Sequence, residues 1–127
     1  MINSSIAGSS KSKTLLSIST RTSSANGTGL DISTYEGLAL VQLANNATSG
    51  TTPTLDVKIQ DSADNSTFAD VSGYSFTQVT AALSDPSTLE IDLRNVRQYI
   101  RAVATIAGTT PSFACAVTLV ASKKITP

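Results

Sequence analysis

The chain has 127 residues, is 40% hydrophobic and 14% charged, has no formal net charge, and contains neither His nor Trp. This length fits one domain with a buried core, and the lack of histidine removes the usual catalytic base and the commonest metal ligand. Ser-His-Asp catalysis is excluded, and a single cysteine cannot form an intrachain disulfide. No apolar run approaches the roughly 20 residues of a membrane span. The missing histidine and the missing span together lead us to expect no enzymatic activity, no cofactor and no membrane partner.

The charged residues are distributed in three blocks along the chain. Residues 1–30 carry +3, residues 31–92 hold all nine acidic residues against the single Lys58 and carry −8, and residues 94–127 carry +5. One interpretation is that strands from different blocks neighbour and neutralise each other. The other is that the basic N-terminal segment reaches an acidic surface on another subunit or shell.

Residues 1–13 are rich in serine and too polar to bury much surface. We interpret them as a flexible N-terminal arm, which leaves residues 14–127 as a single domain. The arm keeps Ile2 and Ile6 as apolar side chains and Lys11 and Lys13 as charges, a pattern suited to ordering on a partner. These four residues are therefore candidate partner contacts.

The first half of the domain reads as strands separated by polar turns. Leu15 to Thr20 predicts a first strand, and Asn26-Gly27 favours a turn with positive φ. Residues 38–44 predict a second strand that is apolar on both faces, hence central or facing an interface. Residues 45–53 predict a long polar loop, because Gly50 and Pro53 interrupt the strand pattern.

The second half alternates between apolar and polar positions. Strands are predicted over residues 55–60, 74–79, 89–93, 100–106 and 113–119, with turns at residues 61–70 and 108–111. About eight strands and no helical period predict an all-β chain, an antiparallel two-sheet β-sandwich of jelly-roll type. We see no internal repeat, which argues against a propeller or a β-helix.

Two carboxylate groupings resemble functional sites. Glu90 and Asp92 share one strand face and could act as a glycosidase pair, although outward-facing residues of an amphipathic strand explain them more simply. The segment 61–70 offers oxygen ligands for Ca²⁺, but it lacks the spacing, central glycine and final glutamate of an EF-hand loop. Turn chemistry explains this segment better, so we assign no catalytic, metal or cofactor residue.

Other side chains suggest binding. The arginines between residues 94 and 101 could contact nucleic acid, but the acidic middle block and the few aromatic residues argue against this partner. We expect Arg97 and Arg101 to pair with acids of neighbouring strands or subunits, and they join the candidate partner contacts. The three tyrosines could form a sugar-stacking platform, although so low an aromatic content favours packing in a core or interface.

Two segments together resemble a known class of viral protein. LDVKIQDSADNSTFADV (residues 55–71) carries a strand into a polar turn, and YIRAVATIAGTTPSFACAVTLVASKK (residues 99–124) forms a hairpin pattern. Over roughly Leu30 to Lys124 the order of strands and turns resembles the small all-β decoration, or cement, proteins of tailed-bacteriophage heads.

This resemblance implies a structural virion protein, made in the bacterial host cytoplasm and bound to the outer surface of the capsid. Its implied partners are the major capsid protein and further copies of itself, as dimers or trimers at a local symmetry axis, with the arm contacting adjacent capsid subunits. Two alternatives remain open at this point: a carbohydrate- or receptor-binding β-sandwich module, and a tail or baseplate accessory protein.

Overall fold

Two very long strands form the framework of the structure, a computed structural model that describes residues 10–123. The strands are β1 (Ser10–Arg21), β2 (Ala25–Asn26), β3 (Leu30–Asp31), β4 (Tyr35–Ser62), β5 (Ala69–Ser75), β6 (Ser87–Asp92) and β7 (Tyr99–Lys123). A short 3-10 helix (Leu93–Asn95) follows β6. The described residues contain no helix long and apolar enough to cross a membrane.

Strands β4 and β7 pair antiparallel along their whole length, from Tyr35 opposite Lys123 to Ser62 opposite Tyr99. The two ends of this ribbon have different neighbours. In one half, β6 pairs with residues 38–43 of β4, and β1 pairs with residues 113–122 of β7, giving the order β6-β4-β7-β1. We call this half sheet I.

In the other half of the ribbon, β5 pairs with residues 58–61 of β4, while β2 and β3 pair with residues 99–104 of β7. This half is sheet II, with the order β5-β4-β7 followed by β2 and β3. When each half of β4 and β7 counts as one strand, and β2 with β3 as another, eight strands form two four-stranded sheets. That arrangement is a jelly roll, so the predicted all-β sandwich is confirmed.

A single hydrophobic core lies between the two sheets, because buried side chains of both halves belong to one cluster. Leu55, Val57 and Ile59 point inward from sheet II, as the alternating pattern predicts. Phe113 and Val117 point inward from sheet I and are fully buried. Burial of both inner faces therefore holds the two sheets together.

The ribbon bends at a corner formed by residues 45–54 and 107–112, where the register shifts repeatedly. Both strands carry the tetrapeptide Gly-Thr-Thr-Pro there, at residues 50–53 and 108–111, so the prediction that the chain has no internal repeat is wrong for this short motif. A Cβ on Gly50 would lie 2.6 Å from the carbonyl oxygen of Thr110, and one on Gly108 would lie 2.8 Å from that of Thr52. These reciprocal approaches give the corner a local two-fold character.

Several predicted boundaries differ from the structure. Strand β1 begins at Ser10, so residues 10–13 of the predicted arm pair with β7, and residues 1–9 lie outside the described part of the chain. The loop predicted at residues 45–53 and the turn predicted at 108–111 are instead bulged continuations of β4 and β7. Glycine and proline suggest breaks in a single strand, but here the two interruptions lie opposite each other and the ladder resumes beyond them.

Candidate interaction surfaces

Lys11 and Lys13 lie on the outermost strand of sheet I. Lys11 pairs with Ala121 and Lys13 with Leu119, and both of these partners are buried. The two lysines therefore occupy the core-side face of β1. They are nevertheless exposed, because β1 is the edge strand of the sheet. Neither lysine forms an ion pair within residues 10–123. Lysines on an edge strand hinder pairing with an identical edge and leave two positive charges available to an acidic partner.

The other two predicted contacts of the arm, Ile2 and Ile6, lie outside the described residues. Lys123 ends β7 opposite Tyr35, near the start of β1, where Ser10 pairs with Ser122. Lys123 is exposed as well. The same end of sheet I therefore presents three lysines.

Arg97 forms an ion pair within the chain, as predicted for neighbouring strands. Its Nη2 lies 2.9 Å from Oδ1 of Asp61, its Nε donates to the same oxygen, and its backbone N–H donates to Oδ2. The carboxylate is largely buried, whereas the side chain of Arg97 is 49% exposed. This contact fixes the segment before β7 against the end of β4.

Arg101 does not pair with an acid of a neighbouring strand in the part of the chain that the structure describes, and its pairing with another subunit stays a prediction. Its Nε donates to Oε1 of Gln60 at 2.9 Å, and its guanidinium stacks 4.2 Å from the ring centre of Phe68. Stacking on an aromatic face stabilises a cation. Arg101 thus packs the β4–β5 connection onto the outer face of sheet II.

Of the two carboxylates on β6, Asp92 has a local structural role. Asp92 accepts hydrogen bonds from the Nε, Nη2 and backbone N–H of Arg94 and caps the 3-10 helix. The hydrogen bonds from the Arg94 side chain lower the pKa of Asp92, which keeps it ionised. Glu90 faces outward from sheet I beside Leu40.

The acidic turn after β4 is organised by its own hydrogen bonds. Asp64 accepts hydrogen bonds from the backbone N–H groups of Ser66 and Thr67 and from the hydroxyl of Ser62. The bond from Thr67 is the largest of the causes that lower its pKa to about 2. Asp61 is engaged by Arg97, and no group of three or more potential metal ligands occurs within residues 10–123. The turn interpretation accounts for this segment.

A groove of about 730 Å³ opens at the end of the sandwich where β4 begins. Ile32, Tyr35 and Leu93 form its apolar floor, and Arg94 and Arg97 lie on its rim. Both arginines are held by aspartates, so their positive charge is already neutralised. Because Tyr35 is buried and the Tyr74 hydroxyl accepts the N–H of Asp92, these rings pack inward instead of forming an exposed platform.

The outer face of sheet I has an uncharged and partly apolar centre. Its two central strands carry no charged residue over residues 38–55 and 102–122, and Glu36 and Lys123 lie at the end of these strands. Leu38 and Leu40 are 56% and 38% exposed on this face, and Val120 lies beside Leu40. The prediction that residues 38–44 are apolar on both faces is therefore correct, and one of those faces is open to solvent.

Comparison with known proteins identifies the fold without assigning a family. No protein-family model matches the sequence, and no curated protein matches it significantly. The SPBc2 prophage-derived protein YomS has a similar structure, with a TM-score of 0.55 and 11% identity over 88% of this chain and 91% of that one.

Two larger proteins contain a similar unit. The PBSX exported protein XepA gives a TM-score of 0.64 at 11% identity and covers 99% of this chain, which spans 41% of XepA. The VP2 subviral particle of infectious bursal disease virus gives 0.56 at 13% identity over 90% of this chain and 32% of that one. The chain thus spans less than half of these two proteins, and at such low identity the likeness concerns the fold: a jelly roll that also occurs in prophage and viral capsid proteins.

Proposed function

We propose that this protein decorates a bacteriophage head, binding the outer surface of the capsid and stabilising contacts between major capsid subunits, without catalytic activity. The observation that carries the proposal is the jelly-roll topology, which resembles two prophage proteins and a viral capsid protein. The order of strands and turns, which resembles decoration proteins, supports the same function.

In this proposal, the basic end of sheet I makes the contact. Lys11 and Lys13 are exposed on an edge strand without an ion-pair partner among residues 10–123, and residues 1–9, with Ile2 and Ile6, precede them directly. An acidic capsid surface would complement this charge, and the apolar side chains would add contact area. Arg97 and Arg101 are secondary contacts, because each already has a partner within the chain.

Binding to phage heads that lack the protein tests the proposal. We expect K11A/K13A to bind roughly tenfold more weakly near physiological salt, because two surface charge contacts are lost. The matched control K58A/R94A removes the same charge from residues that pair with Asp70 and Asp92. It should bind like the wild type, and the difference should shrink as salt screens the contact.

Immunogold labelling of intact virions supplies a second, independent outcome. Labelling over the whole head at high copy number supports decoration, and a mature head that loses heat resistance without the protein supports stabilisation. Labelling confined to the tail or baseplate would replace the proposal with the tail-accessory alternative. Equal binding of K11A/K13A and the control would move the contact away from β1.

A further inference from the structure

We propose that the outer face of sheet I is the dimer interface of this protein, and that a second copy packs on it face to face about a two-fold axis. The axis runs along the row formed by Gln42 and Thr118, perpendicular to the strands. The inference concerns association between copies and does not depend on the capsid assignment.

Three neighbouring rows of outward-facing residues carry the argument. Leu40 pairs with Val120, Gln42 with Thr118, and Ala44 with Ala116. All six alternate with buried positions, and consecutive rows are about 6.7 Å apart, since each is two residues along the strand. The large side chains thus lie on one side of the polar row, and the small ones lie at the same distance on the other side.

This pattern is complementary to itself. A half-turn about the central row reverses the strand direction and keeps each strand over its counterpart. It therefore places Leu40 of one copy over Ala44 of the other, and Val120 over Ala116. Large side chains meet small ones, as interdigitated sheet packing requires. The Gln42 and Thr118 side chains meet their own counterparts at the axis, where amide and hydroxyl groups can exchange hydrogen bonds.

Charge also favours a second copy over an unlike partner. Residues 38–55 of β4 and 102–122 of β7 carry no charge, so the centres of two identical faces can meet without repulsion or a buried unpaired charge. Glu36, opposite Ser122, lies at the end of the face. Lys11 and Lys13 lie on the core-side face of β1 and so stay outside it. Glu90 and Asp92, opposite Leu40 and Leu38, lie on the edge strand β6 at the margin of the face. A highly charged partner would find no complement on this face.

The size of the face is adequate for a specific dimer. The stretch from Ser112 to Ser122 runs for about 33 Å, and four strands span about 19 Å, giving a planar footprint on the order of 600 Å². Protruding side chains make the accessible area larger than this footprint. The face therefore approaches the roughly 800 Å² that each partner contributes to a standard interface.

Sedimentation equilibrium of the full chain tests the inference. The wild type should sediment as a dimer, and Thr118→Lys should raise the dimer Kd by roughly 100-fold, because it places two lysines against each other at the axis. The control Thr105→Lys makes the same substitution on the same strand, at an exposed position of sheet II beside Asp56. It should leave the dimer Kd unchanged.

A mixing experiment separates interface disruption from misfolding. Thr118→Glu alone should also be monomeric, whereas an equimolar mixture of T118K and T118E should form a heterodimer, since lysine then lies against glutamate. A monomeric wild type at 100 µM, a dimer that T118K leaves intact, or variants that fold but do not combine would each overturn the inference. Melting temperatures of the single variants establish that they are folded.

Discussion

Asp61 and Asp64 are close in sequence but have different surroundings. Asp61 is buried and accepts hydrogen bonds from Arg97, which lies 36 residues further along the chain. Asp64 is exposed and serves the turn between β4 and β5. The hydrogen bonds at Asp64 join residues close in sequence, so the turn could be predicted from the sequence. The contact between Asp61 and Arg97 could not be predicted, because only the β4–β7 pairing brings these two residues together.

The carboxylate of Asp64 makes stability depend on pH in the acid range. Its pKa falls from 3.8 to about 2 on folding, first because it accepts the N–H of Thr67. A lowered carboxyl pKa stabilises the folded state above the unfolded pKa, and this contribution disappears as pH falls through the folded value. We expect Asp64→Asn to lower the melting temperature at pH 6, and to have a much smaller effect at about pH 2, where the folded carboxyl is half protonated.

Thermal unfolding of wild type and Asp64→Asn across this pH range measures the difference. Asp85→Asn is the control, since Asp85 lies exposed in the connection between β5 and β6, and its effect should be small at every pH. A gap between wild type and Asp64→Asn that persists unchanged at pH 2 would contradict an electrostatic role for Asp64.

Among the elements, the corner of the ribbon departs furthest from the sequence-based prediction. The strands on both sides of it were predictable, because Leu55, Ile59, Phe113 and Val117 alternate with polar or small residues. The corner was not, because the Gly-Thr-Thr-Pro segments resemble turns when each is considered alone. Their mutual pairing, Thr51 opposite Thr109, is a long-range property. The repeated tetrapeptide was the available signal.

The same limit applies to the candidate contacts. Exposed lysines and an apolar stretch at residues 38–44 were visible in the sequence, whereas the open outer face required the order β6-β4-β7-β1. The start of β1 at Ser10 was missed because Ser-Lys-Ser-Lys has little intrinsic strand preference. Pairing with β7 overrides this weak local preference.

The corner stores backbone strain at two equivalent positions. Thr52 and Thr110 both have φ of 46°, a conformation that is unfavourable for a β-branched residue and better tolerated by asparagine. Replacing either with asparagine should raise the free energy of unfolding by about 0.5–1 kcal/mol, with similar gains at both sites. Urea denaturation measures both changes.

Thr51→Asn provides the matched control for these substitutions. Thr51 is exposed in the same corner but is not among the residues with positive φ, so asparagine should bring no gain there. Equal stabilisation at Thr51 and Thr52 would show that the benefit arises from composition and not from relief of backbone strain.

At the scale of the whole molecule, the two sheets share two strands and cannot separate. Tyr35 begins β4 in sheet I, and Tyr99 begins β7 in sheet II. Because β4 and β7 run through both sheets around one core, we expect a single cooperative transition. A variant that retains only Tyr35 reports on sheet I by tyrosine fluorescence, and one that retains only Tyr99 reports on sheet II. In each variant the urea midpoint measured by fluorescence should equal the midpoint measured by circular dichroism. Separate midpoints would mean that one sheet unfolds first.

The continuous ribbon also determines how the chain must fold. A hairpin with a tight turn can form from its turn outward, but here the innermost pair, Ser62 with Tyr99, closes over the whole segment that contains β5 and β6. The outermost pair, Tyr35 with Lys123, closes over nearly the entire domain. Loop closure therefore costs entropy before the long-range contacts form, and we expect folding on the millisecond to second scale. Strands β5 and β6 precede β7 in the chain and cover only residues 58–61 and 38–43 of β4, so β4 acquires its full-length partner only after β7 has been synthesised.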